Sequence, residues 1–182
     1  MNLNRIIQKP LRGEFPSYAS MYIDLVPGDG MLLSHLRDNL QSTIHLIQSL
    51  PPDKHLHRYA DNKWTIKEIL VHIIDDERIY GYRALRPDNY RDARNDKTEL
   101  PGFDQDPFAF YSKANERTIE SIVEEYEAVR LSTITLFDGF SDDVMLRSGI
   151  ANNNEATVRA LGYHIAGHEL HHVNIIKNLY LK

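Results

Sequence analysis

Near the end of the chain stands His168-Glu169-Leu170-His171-His172. Histidines four residues apart on a helix point the same way, so the imidazoles of His168 and His172 can reach one cation. On a wheel of about 100° per residue they share a stripe with Leu161, Ile165, Ile175 and Leu179, the face that must meet other helices. His164 and His171 fall on the flank of that face. A lone histidine on an apolar stripe is most often a core residue satisfied by hydrogen bonds. Two stacked in one stripe are harder to satisfy, because each buried polar group without a partner costs roughly 1–3 kcal/mol. A shared metal ion satisfies both.

The same residues match H-E-x-x-H, in which a zinc protease uses the Glu as general base. That reading wants a third ligand downstream, but the extended form finds Asn178, and only VNIIKNLYLK comes after His172. No strand edge is expected that could hold a peptide. The protease reading is therefore disfavoured. A third imidazole is available upstream, in WTIKEILVHIIDDERIYGYRAL. Its core stripe is Ile66, Ile69, Leu70, Ile73, Tyr80 and Ala84, with His72, Asp76 and Arg83 on one flank. Asp76 lies one turn from His72 and is a candidate to orient a ligand or accept a proton; Glu169 and His171 are the other candidates. The plain alternative for Asp76 and Arg83 is a solvated ion pair.

Four helical segments must position these groups. They run from about Met31 to Leu50, Thr65 to Leu85, Asp106 to Phe137, and Asn154 almost to the C-terminus. Pro51-Pro52, Pro87 and Gly139 end the first three. Residues 1–28, with three prolines and two glycines, read as an irregular leader before a bundle domain of 29–182. No segment alternates like a strand, so the fold class expected is all-α. The connection from Pro87 to Gln105 is long enough to let helices two and three lie parallel, and its LPGFDQDPF portion is expected to close one end of the bundle. Polar residues enter every core stripe: Asn39 and Thr43, Glu77, then Asn115, Arg130 and Thr133. The coincidence suggests a wet metal pocket.

Composition narrows the function classes. The 182 residues hold no cysteine, which removes disulfides, thiolate nucleophiles and Cys-rich zinc sites. Net charge is −5 with scattered basic residues, arguing against a nucleic-acid partner. No apolar run reaches the roughly 20 residues that span a bilayer, and no signal-peptide core is evident, so a cytoplasmic location is the default.

The helix-two and helix-four segments together, with LPGFDQDPF and EYEAVRLSTITLF between them, resemble the DinB-like (DinB/YfiT) superfamily over roughly residues 30–182. In that family one ligand is the His of W-[ST]-x-x-E-x-[LIV]-x-H, here Trp64, Thr65, Glu68, Leu70 and His72; H-x-x-x-H on the last helix supplies His168 and His172. The resemblance implies a four-helix bundle of up-down-down-up order with one long crossover between helices two and three. It also implies a divalent metal, zinc or nickel, held by three imidazoles with open positions. Two lines of chemistry are implied with it: thiol S-transfer using a low-molecular-weight thiol, or hydrolysis, in either case on a small-molecule substrate. A homodimer is common in the family, and a non-catalytic metal-binding or stress-induced protein is the competing class.

Overall fold

The computed structural model describes residues 2–85 and 99–182. Its helices are α1 (Ser20–Ile23), α2 (Leu32–Gln48), α3 (Ile66–Leu85), α4 (Gln105–Tyr111), α5 (Ile119–Asp138), α6 (Asp142–Met145) and α7 (Val158–Ile175). The fold is a four-helix bundle of α2, α3, α5 and α7. Threonines start three of these helices. Thr65 Oγ1 accepts from Glu68 N while Glu68 Oε2 accepts from Thr65 N, a reciprocal capping box. Thr118 and Thr157 accept from Ser121 N and Ala160 N.

Contacts between helices reveal their directions. Asn39 meets Ala166 and Thr43 meets Glu169, so α2 and α7 run together. Trp64 meets Tyr180, His72 meets His168 and Tyr80 meets His164, so α3 and α7 are antiparallel. Thr65 meets Asn115 and Glu77 meets Arg130, so α3 and α5 run together. The order is up, down, down, up. Two parallel neighbours joined in sequence need a return connection, and most of the expected Pro87–Gln105 crossover lies outside the described residues.

Two expected helices are shorter than their patterns. The third breaks into α4 and α5, because Lys113 takes a left-handed conformation (φ 52°) before a 3₁₀ turn at Ala114–Glu116. The fourth does not begin at Asn154. Strands β1 (Ser148–Ala151) and β2 (Asn154–Thr157) form an antiparallel hairpin there. Its two loop residues, Asn152 and Asn153, both have positive φ, 51° and 57°, the requirement of a tight hairpin turn that asparagine tolerates. Leu100 adds to its edge, donating N–H to Ile150 O and accepting from Asn152 N. The 99–104 stretch thus lies against the hairpin at one end of the bundle.

The leader is not irregular throughout. It makes a 3₁₀ turn at Ser17–Ala19 and continues into α1, burying Ile7, Phe15, Ala19, Ile23 and Val26 in one cluster with Leu32, Leu36, Phe137 and Tyr163. The contact of α1 with α7 is backbone-close: a Cβ on Gly167 would fall 2.1 Å from Tyr22 O. Among the described residues, no helix is long and apolar enough to cross a membrane.

Candidate metal centre

α3 carries His72 and α7 carries His168 and His172, and the antiparallel pairing brings the three rings together. His168 Nε2 lies 3.1 Å from His72 Nε2 and 3.1 Å from His172 Nε2. One nitrogen from each of the three falls within 4.8 Å of the others. His72 and His168 are buried and His172 is half-buried. Trp64 packs its ring against His72 at 4.8 Å. Burial pushes His168 down to about 3 and His172 down to about 2, and lowers His72. Three neutral imidazoles with converging nitrogens are a set that could hold a divalent cation.

Asp76, one turn from His72, is the only acidic candidate that faces the triad. Its Oδ2 lies 3.4 Å from His168 Nδ1 and 3.4 Å from His164 Nε2. A carboxylate on Nδ1 turns the opposite ring nitrogen towards the other two histidines. Burial alone would raise the Asp76 carboxyl, but the facing His168 and His164 rings more than offset it and hold it below the usual carboxylate range.

Glu169, although second in H-E-x-x-H, turns elsewhere. Its Oε2 takes Arg130 Nη1 at 2.8 Å and its Oε1 takes the Thr43 hydroxyl at 2.7 Å. Arg130 is wholly buried (0% exposed) and also bonds both carboxylate oxygens of Glu77, the Tyr126 hydroxyl and Leu36 O. Here the expectation of a wet metal pocket needs correction. Thr43, Glu77 and Arg130 satisfy one another and Glu169 across four helices, and Asn115 joins the capping box by donating to Glu68. His171 is half-buried, with its ring 5.2 Å from those of Tyr22 and His172.

A cavity of about 620 Å³ opens beside His168 and Asp76. Tyr18 and Tyr22 from the leader, Tyr80 from α3 and Phe103 from the 99–104 stretch wall it, with His164 at its side. Tyr80 stacks flat on His164 at 3.8 Å. Tyr22 sets its ring against those of His164 and His168, at 4.9 and 5.2 Å. The sequence placed His164 only on a flank and left the leader tyrosines without a position, since neither fact can be read from a single helix pattern.

A model of the DinB superfamily matches residues 35–176. The chain belongs to that superfamily. Among solved structures, this DinB-superfamily chain is similar to YfiT from Bacillus subtilis, described as a probable metal-dependent hydrolase with an unusual four-helix bundle topology. The likeness has a TM-score of 0.62 at 12% identity and covers 93% of each chain. No curated protein matches. The family match begins at His35, so the leader that walls the cavity lies outside it.

Proposed function

We propose that this DinB-superfamily protein is a metal-dependent enzyme acting on a small molecule, with His72, His168 and His172 holding zinc or nickel. The observation that carries this is the convergence of three imidazole nitrogens next to a cavity that reaches His168. Two of the three separations, from His168 to His72 and to His172, are 3.1 Å, as expected for ligands of one cation. Nitrogens at about 2.0–2.1 Å from one cation stand about 2.9–3.4 Å apart in six- to four-coordinate shells. A cation held there would supply Lewis acidity, activating a water or a thiol sulfur.

The chain's own residues do the rest. Burial keeps the imidazoles neutral and so ready to bind. Asp76 is the group we assign to orienting His168 and holding a proton; Glu169 is already bonded to Arg130 and Thr43, and His171 stands on the flank. Tyr22 and Tyr80 wall the cavity beside His168 and would hold the carbon skeleton of a substrate. We favour transfer of a low-molecular-weight thiol onto an electrophile. With no cysteine in the chain, the sulfur would arrive as a co-substrate. Hydrolysis is the second reading, favoured by the likeness to YfiT.

The test begins with elemental analysis of protein purified without an affinity tag. Zinc- or nickel-loaded protein is then given bacillithiol-type, mycothiol-type or glutathione thiols with an electrophile, and conjugates are sought by mass spectrometry. Conjugate formation that disappears in His72→Ala supports transfer. Turnover of esters or amides without any conjugate moves the assignment to hydrolysis. Metal binding without either reaction makes this a non-catalytic metal protein.

A further inference from the structure

We propose that the cavity beside His168 binds the primary ammonium group of a small amine, with Asp76 and His164 as its receptor. Two buried side-chain atoms among the described residues have no hydrogen-bond partner: Asp76 Oδ2 and His164 Nε2. Both residues are 4% exposed and line the cavity, and Asp76 Oδ2 lies 3.4 Å from both His164 Nε2 and His168 Nδ1, facing the two rings without hydrogen-bond geometry to either. Buried polar atoms in a native fold normally find partners, and each one left bare is costly. Asp76 Oδ2 can only accept. An ammonium group brings three donors on one small cation, one for the carboxylate and one for His164 Nε2 in the tautomer that leaves that nitrogen unprotonated.

The charge around the cavity selects the same ligand. Among the described residues its lining holds two carboxylates, Asp76 and Asp104, two imidazoles, and no lysine or arginine. The guanidinium of Arg83 lies over the Tyr80 ring at 4.8 Å and the Phe103 ring at 6.0 Å, with Nη2 3.4 Å from Pro101 O. Among the described residues, this guanidinium lies against the aromatic wall and is not part of the cavity lining. An anion would meet repulsion there, and a neutral alcohol would leave the buried carboxylate poorly matched. Tyr18, Tyr22, Tyr80 and Phe103 offer apolar surface to the carbon skeleton. Binding of the amine stands apart from the metal-dependent reading, and only the chemistry after binding rests on it: an amine anchored at Asp76 puts the rest of the molecule beside His168.

The experiment compares n-butylammonium, n-butanol and butyrate by NMR titration at neutral pH, using metal-free and zinc-loaded protein. The expected result is that butylammonium binds about tenfold or more tighter than butanol, with butyrate weakest. Asp76→Asn should erase that preference. His164→Leu, an apolar replacement against Tyr80, should weaken it by itself and serves if Asp76→Asn does not fold. Equal binding of the amine and the alcohol, preference for butyrate, or a preference that survives both substitutions overturns the proposal. The metal reading fails separately. Butylammonium bound by a protein that takes up no zinc upholds this site and sinks the metal centre, whereas zinc uptake without amine preference does the reverse.

Discussion

His168 is the hub of the candidate centre, because one ring nitrogen meets both other histidines and the opposite one faces Asp76. His168→Ala should therefore abolish metal uptake, and Asp76→Asn, which leaves the nitrogens but frees the ring, should weaken affinity about 10–100-fold. Chelator competition measures both, and Asp76→Asn with unchanged affinity would remove the orienting role. The depressed histidines also predict an acid response. Their folded values, about 3 for His168 and about 2 for His172, lie below the ordinary 6.5. In that window the unfolded chain binds more protons than the folded one, so stability falls as pH drops from about 6.5 towards 3. Melting curves of metal-free protein should show this, and a flat melting temperature from pH 7 to 4 would contradict it. At this scale the sequence was partly legible. His168 and His172 stood in a core stripe of their own helix, whereas His72 came from family resemblance because its wheel position was only a flank. Glu169 misled, since H-E-x-x-H says nothing of an arginine waiting on another helix.

Two elements hold the site through contacts that no single helix reveals. α1 presses its backbone onto α7 at Gly167, where a Cβ would lie 2.4 Å from Tyr22 C. Gly167→Ala must push the leader away, at about 1–3 kcal/mol by denaturant unfolding, and should expose Tyr22 to quenchers. Stability within a few tenths of a kcal/mol of the parent would show that α1 yields freely. α5 contributes Arg130, whose ion pairs to Glu77 and Glu169 tie α3 and α7 to it. Arg130→Met strands two buried carboxylates and should cost about 3–5 kcal/mol; adding Glu77→Gln and Glu169→Gln should recover part of that loss. The elements themselves were largely readable from periodicity and from Pro51-Pro52 and Gly139. The break before α5 was not, because the turn at Lys113 uses neither glycine nor proline. The hairpin was missed although Asn152-Asn153 is a turn signal, since strands of four residues carry too little alternation to register.

Across the whole molecule, a ligand that binds only the folded state stabilises it by mass action. Metal at a hundred times its dissociation constant adds about 2.7 kcal/mol, or about 5–10 °C for a chain of this size. A chelator should reverse the gain in differential scanning, and no shift for metal-loaded protein would argue against a site built by folding. The bundle's up-down-down-up order was implied by the family resemblance and consistent with the long connection after Pro87, but the leader's share in the core was not foreseen, because its scattered apolar residues have no period. That share has a consequence in time. Tyr163 of α7 donates its hydroxyl to Ile7 O, 156 residues away in sequence, and α1 lies on Gly167, so the leader closes on a helix made much later. As the chain leaves the ribosome, His72 emerges 96 residues before His168, and the cavity lacks His164 and His168 until α7 arrives. Contacts that distant in sequence form slowly, so the three imidazoles come together only after α7 has been made and packed against α3.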